Sequence, residues 1–432
     1  MSKVLTDLRK LQDADLQGKV VLVRVDHNVV KDGSIKDPFR IDITFATMFN
    51  ILAKGGKLIL MTHVGRPKDK ATGNIKISKK TSVQPIVEYL KKKLNITFYT
   101  PEIPPEEGSG LIQIPPSIKE KVKELKEGKI SGIYLPNTRW FKGEEDKGEY
   151  ADQFAQELAE LADVFVNDAF GSWQSHVSTV RITKYLPSYA GLLMQSEISN
   201  LEQVFEPQRP ILAVVAGSKF DTKIGPLRAL LEKVDHLILG GVIYNAYLAA
   251  KYDLEIAGLT PEDIDSAREF LEFSKQYPDK IIEPSVIVES DSLEGKVEDQ
   301  YRNIDIHNLQ DKKKLNYILD VAAQSFADAK IKEVINNARS VFVNAVMGLT
   351  PHFAEGTIAL FNALNSNSSA FKMYGGGDTL QEFRTLLPGK YLNAIDDQNH
   401  YFFSGGGTVL TAIEENSVLG LEPVKALLHS EA

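Results

Sequence analysis

The sequence predicts an α/β protein with parallel sheets, organised as two lobes. Three observations predict it. Short apolar runs recur along the 432 residues, each closed by a turn and followed by a helical pattern. These runs are apolar almost without interruption, as strands buried on both faces must be. The length suits two domains of ordinary size, roughly 100–200 residues each.

In the first half the strand candidates are Val20–Val25, Lys57–Met61, Gly132–Leu135 and Val164–Val166. In the second half they are Ile211–Val215, His236–Leu239, Val341–Val343 and Tyr401–Phe403. Amphipathic stretches lie between them. In Ala151–Asp163, Phe154, Leu158 and Leu161 fall at i, i+4 and i+7, the spacing of one helix face. Leu315–Arg339 reads as one long helix. Lys119–Glu127 reads as a charged, solvated helix, with Ser117 and Glu120 spaced as a capping box and Gly128 as its stop. The proline-rich stretch Pro101–Pro116 reads as a surface loop. The boundary candidate is Gly191–Pro210, a helix through Leu193, Ile198, Leu201 and Val204 that ends at Pro207 and Pro210. There is no internal repeat and no low-complexity tract.

Composition excludes several functions. Lys plus Arg total 50 against 58 Asp plus Glu, a net charge of −8. That balance argues against nucleic acid or an anionic membrane as the main partner. The absence of cysteine excludes disulfides, thiolate metal sites and cysteine nucleophiles. Met1–Lys19 has no apolar core of a secretory signal, and no run approaches the ~18–20 apolar residues of a membrane span. A soluble, cytoplasmic protein is the expectation.

In open α/β sheets ligands bind beyond the carboxyl ends of the strands, so the residues after each strand carry the functional reading. In the first half these are polar and cationic: Asp26, His27 and Asn28, then Arg40; His63-Val64-Gly65-Arg66; Asn137 and Arg139; Asn167-Asp168. Three arginines and a histidine at three strand ends of an acidic protein predict a pocket for a small dianion such as a phosphate ester. The planar guanidinium fork gives bidentate bonds to its oxygens. In the second half the strand ends are glycines. Gly217-Ser218-Lys219 is followed by Lys223, and then come Gly240-Gly241, Asn344 to Gly348, Gly375-Gly376-Gly377-Asp378-Thr379 and Gly405-Gly406-Gly407. Glycine lets backbone N–H groups approach phosphate, and a helix starting there adds its positive end. Asp378 reads either as an N-cap or as a Mg²⁺ ligand. No P-loop motif and no G-x-G-x-x-G after a strand occurs, and the histidines, His176 among them, lack zinc-like spacing. An anionic-metabolite lobe facing a nucleotide lobe suits phosphoryl transfer with closure.

Taken together, Val23–Asn28, Arg40-Ile41, Thr62–Pro67, Asn137-Thr138-Arg139, Gly143–Glu145, Val166–Gly171, Gly217–Lys219 with Lys223, Gly375–Thr379 and Ser404–Gly407 resemble phosphoglycerate kinase. Order and approximate spacing agree from about residue 5 to 430. The resemblance implies two Rossmann-like lobes: 1–190 for phosphoglycerate, a connecting helix 191–206, a nucleotide lobe 207–410, and a tail 411–432 returning to the first lobe. It implies that 3-phosphoglycerate or 1,3-bisphosphoglycerate is held by Asp26, Asn28, Arg40, His63, Arg66 and Arg139. It implies that Mg-ADP or Mg-ATP is held by Gly217, Lys219, Lys223, Gly240, Gly241, Asn344, Gly348, Gly376, Asp378 and Thr379, with Mg²⁺ on Asp378. Arg40, Lys219 and Gly377 would stabilise the transferring phosphoryl group, and the family implies a monomer.

The sequence also departs from the family pattern. Ala169-Phe170-Gly171 is followed by Ser172-Trp173-Gln174-Ser175-His176, which lacks the family's phosphate-clamping Arg; Arg181 is the nearby substitute. Val242 replaces a third glycine, and Val343-Asn344-Ala345-Val346 replaces Trp-Asn-Gly-Pro. Thr222 replaces an Asp, and the acidic residue for the ribose hydroxyls is missing before Gly356. Asp305-Ile306-His307-Asn308 stands where the family has Asp-x-Gly-Pro near the adenine. Two alternatives follow: a kinase of this fold with another acceptor or nucleotide, and a catalytically weak binding protein.

Overall fold

The computed structural model describes residues 3–220 and 223–429, in two compact units. Unit 1 comprises Met1–Ser199 together with Val418–Ala432, and unit 2 comprises Asn200–Ser417.

Unit 1 is built on six strands: β1 (Val20–Val25), β2 (Lys57–Met61), β3 (Phe98–Tyr99), β4 (Gly132–Tyr134), β5 (Val164–Asp168) and β6 (Ser188–Ala190). They form one all-parallel sheet in the order β6-β5-β1-β2-β4-β3. Alternate residues of β1 feed opposite cores. Val21, Val23 and Val25 pack on one face, while Val20 and Leu22 pack on the other. Both faces are therefore covered, which is why the strand reads as continuously apolar. Among the helices covering them are α1 (Phe45–Ala53), α2 (Gln84–Leu94), α3 (Pro116–Lys126) and α4 (Glu149–Ala159). The chain leaves through α5 (Leu192–Phe205) and returns at its end, where the His429 amide donates to Asp7 O at 2.9 Å and Arg9 donates to Ala426 O at 2.8 Å.

Unit 2 holds β7 (Ile211–Gly217), β8 (His236–Gly240), β9 (Val286–Ser290), β10 (Tyr301–Asp305), β11 (Tyr317–Val321), β12 (Ser340–Asn344), β13 (Phe371–Tyr374) and β14 (His400–Phe402). Five of them make a parallel sheet, β8-β7-β12-β13-β14, and three an antiparallel one, β10-β9-β11. Its helices include α6 (Ile224–Lys233), α7 (Gly241–Tyr252), α8 (Pro261–Ser274), α9 (Ala329–Asn337), α10 (Glu355–Ser366), α11 (Gly377–Leu386), α12 (Pro388–Ile395) and α13 (Gly406–Glu414). Among the described residues no helix is long and apolar enough to cross a membrane.

Several local expectations are corrected. Leu315–Arg339 is not one helix. Tyr317–Val321 is a strand pairing with Val286–Ser290, followed by a short 3-10 turn and then α9. Tertiary pairing overrides a helical pattern here, and the Asp328 side chain starts the new helix by accepting from the Lys330 amide at 2.9 Å. The Ser117–Glu120 box does not form, because α3 begins at Pro116 with no side-chain cap. The N-cap position is Pro115, which has no side-chain oxygen to accept from the first turn, and Ser117 lies inside the helix. The capping box occurs instead at α8, between Thr260 and Asp263. Within Pro101–Pro116, Glu106–Gly108 pairs with Ile75–Ile77.

Candidate active site

In unit 1 the chemistry gathers beyond the carboxyl ends of β1, β2 and β4. Arg24 is the least expected member, a fully buried arginine inside an apolar strand. Its Nε donates to Ser178 Oγ at 2.9 Å. Ser178 in turn donates from Oγ to Glu144 Oε1 at 2.6 Å and from its amide to Oε2 at 3.0 Å, and Glu144 is also fully buried. The pair satisfies the rule that a buried charge needs an opposite charge and hydrogen bonds. The other end of Arg24 fixes the histidine. Its Nη2 lies 3.0 Å from His63 Nδ1. A guanidinium can only donate, so Nδ1 is the bare nitrogen and the His63 proton sits on Nε2. Burial first, and then the neighbouring Arg24, Arg139, His176 and Arg40, hold His63 well below its usual pKa. It is a neutral imidazole with one directed N–H.

Around it, Arg40 Nη1 lies 3.2 Å from Asp26 Oδ2, while Asp26 Oδ1 is buried without a partner. The loop after β2 is clamped from two sides. Asn28 Oδ1 accepts from the Gly65 amide at 2.9 Å, and Arg139 donates to Gly65 O at 2.7 Å. Arg139 Nε lies 2.9 Å from Glu145 Oε1. The structure thus brings Asp26, Asn28, Arg40, His63 and Arg139 together, with Arg66 exposed on the clamped loop. It does not bring Arg181, which is tied to Asp152 at 2.8 Å and to Lys147 O. His176 takes part instead, half-buried and coupled to Glu144, Glu145, Arg139 and Arg24; burial is the main cause of its lowered pKa. Arg24, Glu144 and His176 were missed at the sequence level. A charge inside the apolar run Val20–Val25 was the available signal for Arg24.

In unit 2 the strand ends open on a cavity of about 670 Å³. Gly217, Lys219, Lys223, Gly241, Asn344, Gly348, Gly376, Gly377, Asp378 and Thr379 line it. Gly240 does not. It lies behind the wall, where a Cβ would come within 2.6 Å of Met347 Sδ. The two triple-glycine runs meet backbone to backbone. A side chain at Gly406 would collide with Gly376, and Gly376 holds φ +100° at the start of α11. Lys223 donates to Ala216 O at 2.7 Å and to Asn344 Oδ1 at 3.1 Å. Burial brings its pKa down to about 8, against the raising influence of Asp378. Thr222 lies outside the described residues.

The far wall is apolar, with Val242, Leu293, Tyr317, Ile318 and Leu349. The segment Asp305–Asn308 is not on it, and Tyr317–Leu319 of β11, an edge strand of the antiparallel sheet, are. Asp320, the next residue, is buried and receives the Gly356 amide at 3.0 Å and the Val321 amide at 2.8 Å. Desolvation pushes its pKa up to about 6. Asp320 therefore holds the first turn of α10 at Gly356 and packs against Gly348, and it is not among the residues lining the cavity. Asn245 also lines this wall, and it donates from Nδ2 to Ile318 O at 2.9 Å.

A phosphoglycerate kinase family model matches residues 11–416. Phosphoglycerate kinase from Thermus thermophilus is 31% identical over 427 residues, covering 96% of this chain and 99% of that protein. The one from Dictyoglomus turgidum is 30% identical over 432 residues, covering 97% and 98%. The structure of phosphoglycerate kinase from Coxiella burnetii superposes with a TM-score of 0.73 at 28% identity, covering 97% of this chain and 98% of that one. The Pyrococcus horikoshii enzyme gives 0.78 at 23% identity over the same extents and supports the fold. Sequence and fold agree over nearly the whole chain, and the chain belongs to the phosphoglycerate kinase family.

Proposed function

We propose that unit 1 binds 3-phosphoglycerate or 1,3-bisphosphoglycerate at the Arg40–His63–Arg139 cluster, and that the cavity of unit 2 binds the Mg²⁺ complex of ADP or ATP. As a member of its family the chain is a phosphotransferase whose acceptor is a carboxyl group. The observation that carries the substrate reading is the directed Nε2–H of His63 beside Arg40 and Arg139, an array of donors built for a small anion.

The acceptor carboxylate is ionised at neutral pH, so the protein needs positioned charge more than a general base. Asp26 aims Arg40 through one oxygen, and its buried, partnerless Oδ1 suits a substrate hydroxyl. His63 Nε2–H orients the carboxylate, while Arg66 and Arg139 hold the phosphate end. In unit 2 Lys219, with the Gly377 amide at the start of α11, stabilises charge on the phosphoryl oxygens. Asp378 lies exposed in the first turn of α11. No group of three or more His, Cys, Asp or Glu able to hold a metal occurs among the described residues. One carboxylate with nucleotide phosphates is the donor set Mg²⁺ commonly takes, and the ion would neutralise phosphate charge there. Shielding from water keeps the nucleotide from simple hydrolysis.

A coupled assay with 3-phosphoglycerate, Mg²⁺ and ATP tests this reading. Turnover is expected, falling about 10²–10³-fold in Lys219→Ala. No turnover with ATP or GTP from folded protein would overturn it. A changed nucleotide preference is a second reading, favoured by Asn245. Its Nδ2 is committed to Ile318 O, leaving Oδ1 as a hydrogen-bond acceptor on the cavity wall. Running ATP and GTP side by side decides it. The net charge of −8 fits small-molecule substrates, without nucleic-acid or membrane partners, and membership of the family fits a cytoplasmic monomer.

A further inference from the structure

Unit 2 has a second polar cavity, of about 300 Å³, at the amino ends of β13 and β14. The glycine runs of the proposed nucleotide site follow the carboxyl ends of the same strands, so the two sites are separate. Lys372 lies in β13 and is fully buried. Its hydrogen bond is to a neutral group, Ala370 O at 3.0 Å, and no carboxylate among the described residues forms an ion pair with it. Burial lowers its pKa, and Asp397 partly restores it. His400 is its register partner on β14, with a side chain only 6% exposed. Nδ1 lies 3.1 Å from Asp397 Oδ2, and Nε2 is buried with no partner. Lys390 of α12 reaches the cavity rim and is exposed. Apart from Asp397 and Ala394, the remaining lining is amide and hydroxyl, including Asn393 and Ser368.

A buried ammonium without a counter-charge is costly unless something compensates it. Here two ammonium groups and an unpartnered imidazole nitrogen face one carboxylate, Asp397, already engaged by His400. An oxyanion would supply acceptors to both lysines and to a protonated His400, and the volume leaves room for a short carbon chain on it. We propose that this cavity is a binding site for a phosphate group, as the free ion or on a small ester, separate from the catalytic chemistry.

Binding would couple to protonation. Burial and then Lys372 lower the pKa of His400, while Asp397 raises it. An anion between Lys372, Lys390 and His400 would move it upward. Histidine side-chain NMR reads this directly, since the chain has only eight histidines and His400→Gln identifies the signal. The His400 signal should shift saturably with inorganic phosphate, its titration should move to higher pH, and chloride at equal ionic strength should do neither. Lys372→Met should weaken the apparent affinity about tenfold or more. Lys390→Gln, on the exposed rim, should weaken it too and carries the test if Lys372→Met does not fold. A shift matched by chloride, or unchanged in the lysine variants, would overturn the proposal. Glycerol 3-phosphate binding more tightly than phosphate would support the site and identify an ester ligand, and equal binding would support it and identify the free ion. Signals of His63 and His176 report unit 1, so failure here is distinguishable from failure of the proposed substrate site.

Discussion

The two candidate sites are built from different materials. The unit 1 site consists of charged side chains that hold one another: Arg24 on Ser178, Glu144 and His63, and Arg40 on Asp26. The unit 2 site consists of backbone turns and an apolar wall, with Lys223 and Asn344 as its main side-chain pair. A network of side chains fixes a small rigid anion and makes the fold depend on its members. A glycine-lined cavity fixes phosphates through amides and leaves the fold less exposed to any one side chain. Mutations should therefore trade stability in unit 1 and affinity in unit 2.

The largest effect expected is on stability. Arg24→Met strands Glu144 as a buried, unpaired carboxylate, which should cost unit 1 about 3–5 kcal/mol. The tryptophans, Trp140 and Trp173, both lie in unit 1. A urea melt followed by tryptophan fluorescence should show the loss, and Glu144→Gln added to Arg24→Met should recover part of it. An unchanged midpoint would mean the network is not what holds this unit. In unit 2, Gly376→Ala places a side chain at φ +100° and 3.1 Å from Asn344 Nδ2. The expected outcome is a rise of about tenfold in the ATP KM, from about 1–2 kcal/mol of strain, with the fluorescence melt unmoved.

Each unit also contains a buried aspartate whose pKa desolvation raises to about 6, Asp168 in unit 1 and Asp320 in unit 2. Asp168 Oδ1 accepts from the Met194 amide at 3.1 Å, in the first turn of α5. The ordinary unfolded value is about 3.9. Between these values the native state binds the extra proton, so stability should fall as pH rises from about 4 to about 6, by about 2–3 kcal/mol for the fully buried Asp168. Asp168→Asn should flatten that slope in the fluorescence melt. Asp320→Asn should flatten it by circular dichroism, which sees both units, while leaving the fluorescence melt alone. The smallest effect belongs to His176. Its removal in His176→Ala should raise the 3-phosphoglycerate KM a few-fold, about the value of one weak hydrogen bond, with kcat unchanged. A wild-type KM there would leave the missing clamp arginine without a substitute.

Much of this was legible in the chain. Runs such as Ile211–Val215 announce strands covered on both faces, and Gly375–Thr379 announces a phosphate-binding helix start. Other features could not be read. Asp305 and Asp320 are both aspartates beside apolar residues, and only sheet pairing places Tyr317–Leu319, next to Asp320, on the cavity wall and Asp305 at an exposed edge. Arg181 and His176 are five residues apart. The first is drawn to Asp152 and the second to Glu144, a choice made by elements distant in sequence.

By itself, then, the sequence determined the class of fold, the strand ends that matter and the residue types there, because periodicity and backbone requirements are local. The tertiary structure decided which charges meet, which nitrogen of His63 holds the proton, and that Lys372 and His400 face each other across β13 and β14. Those outcomes depend on burial and on contacts between distant segments, where desolvation sets the worth of every polar group.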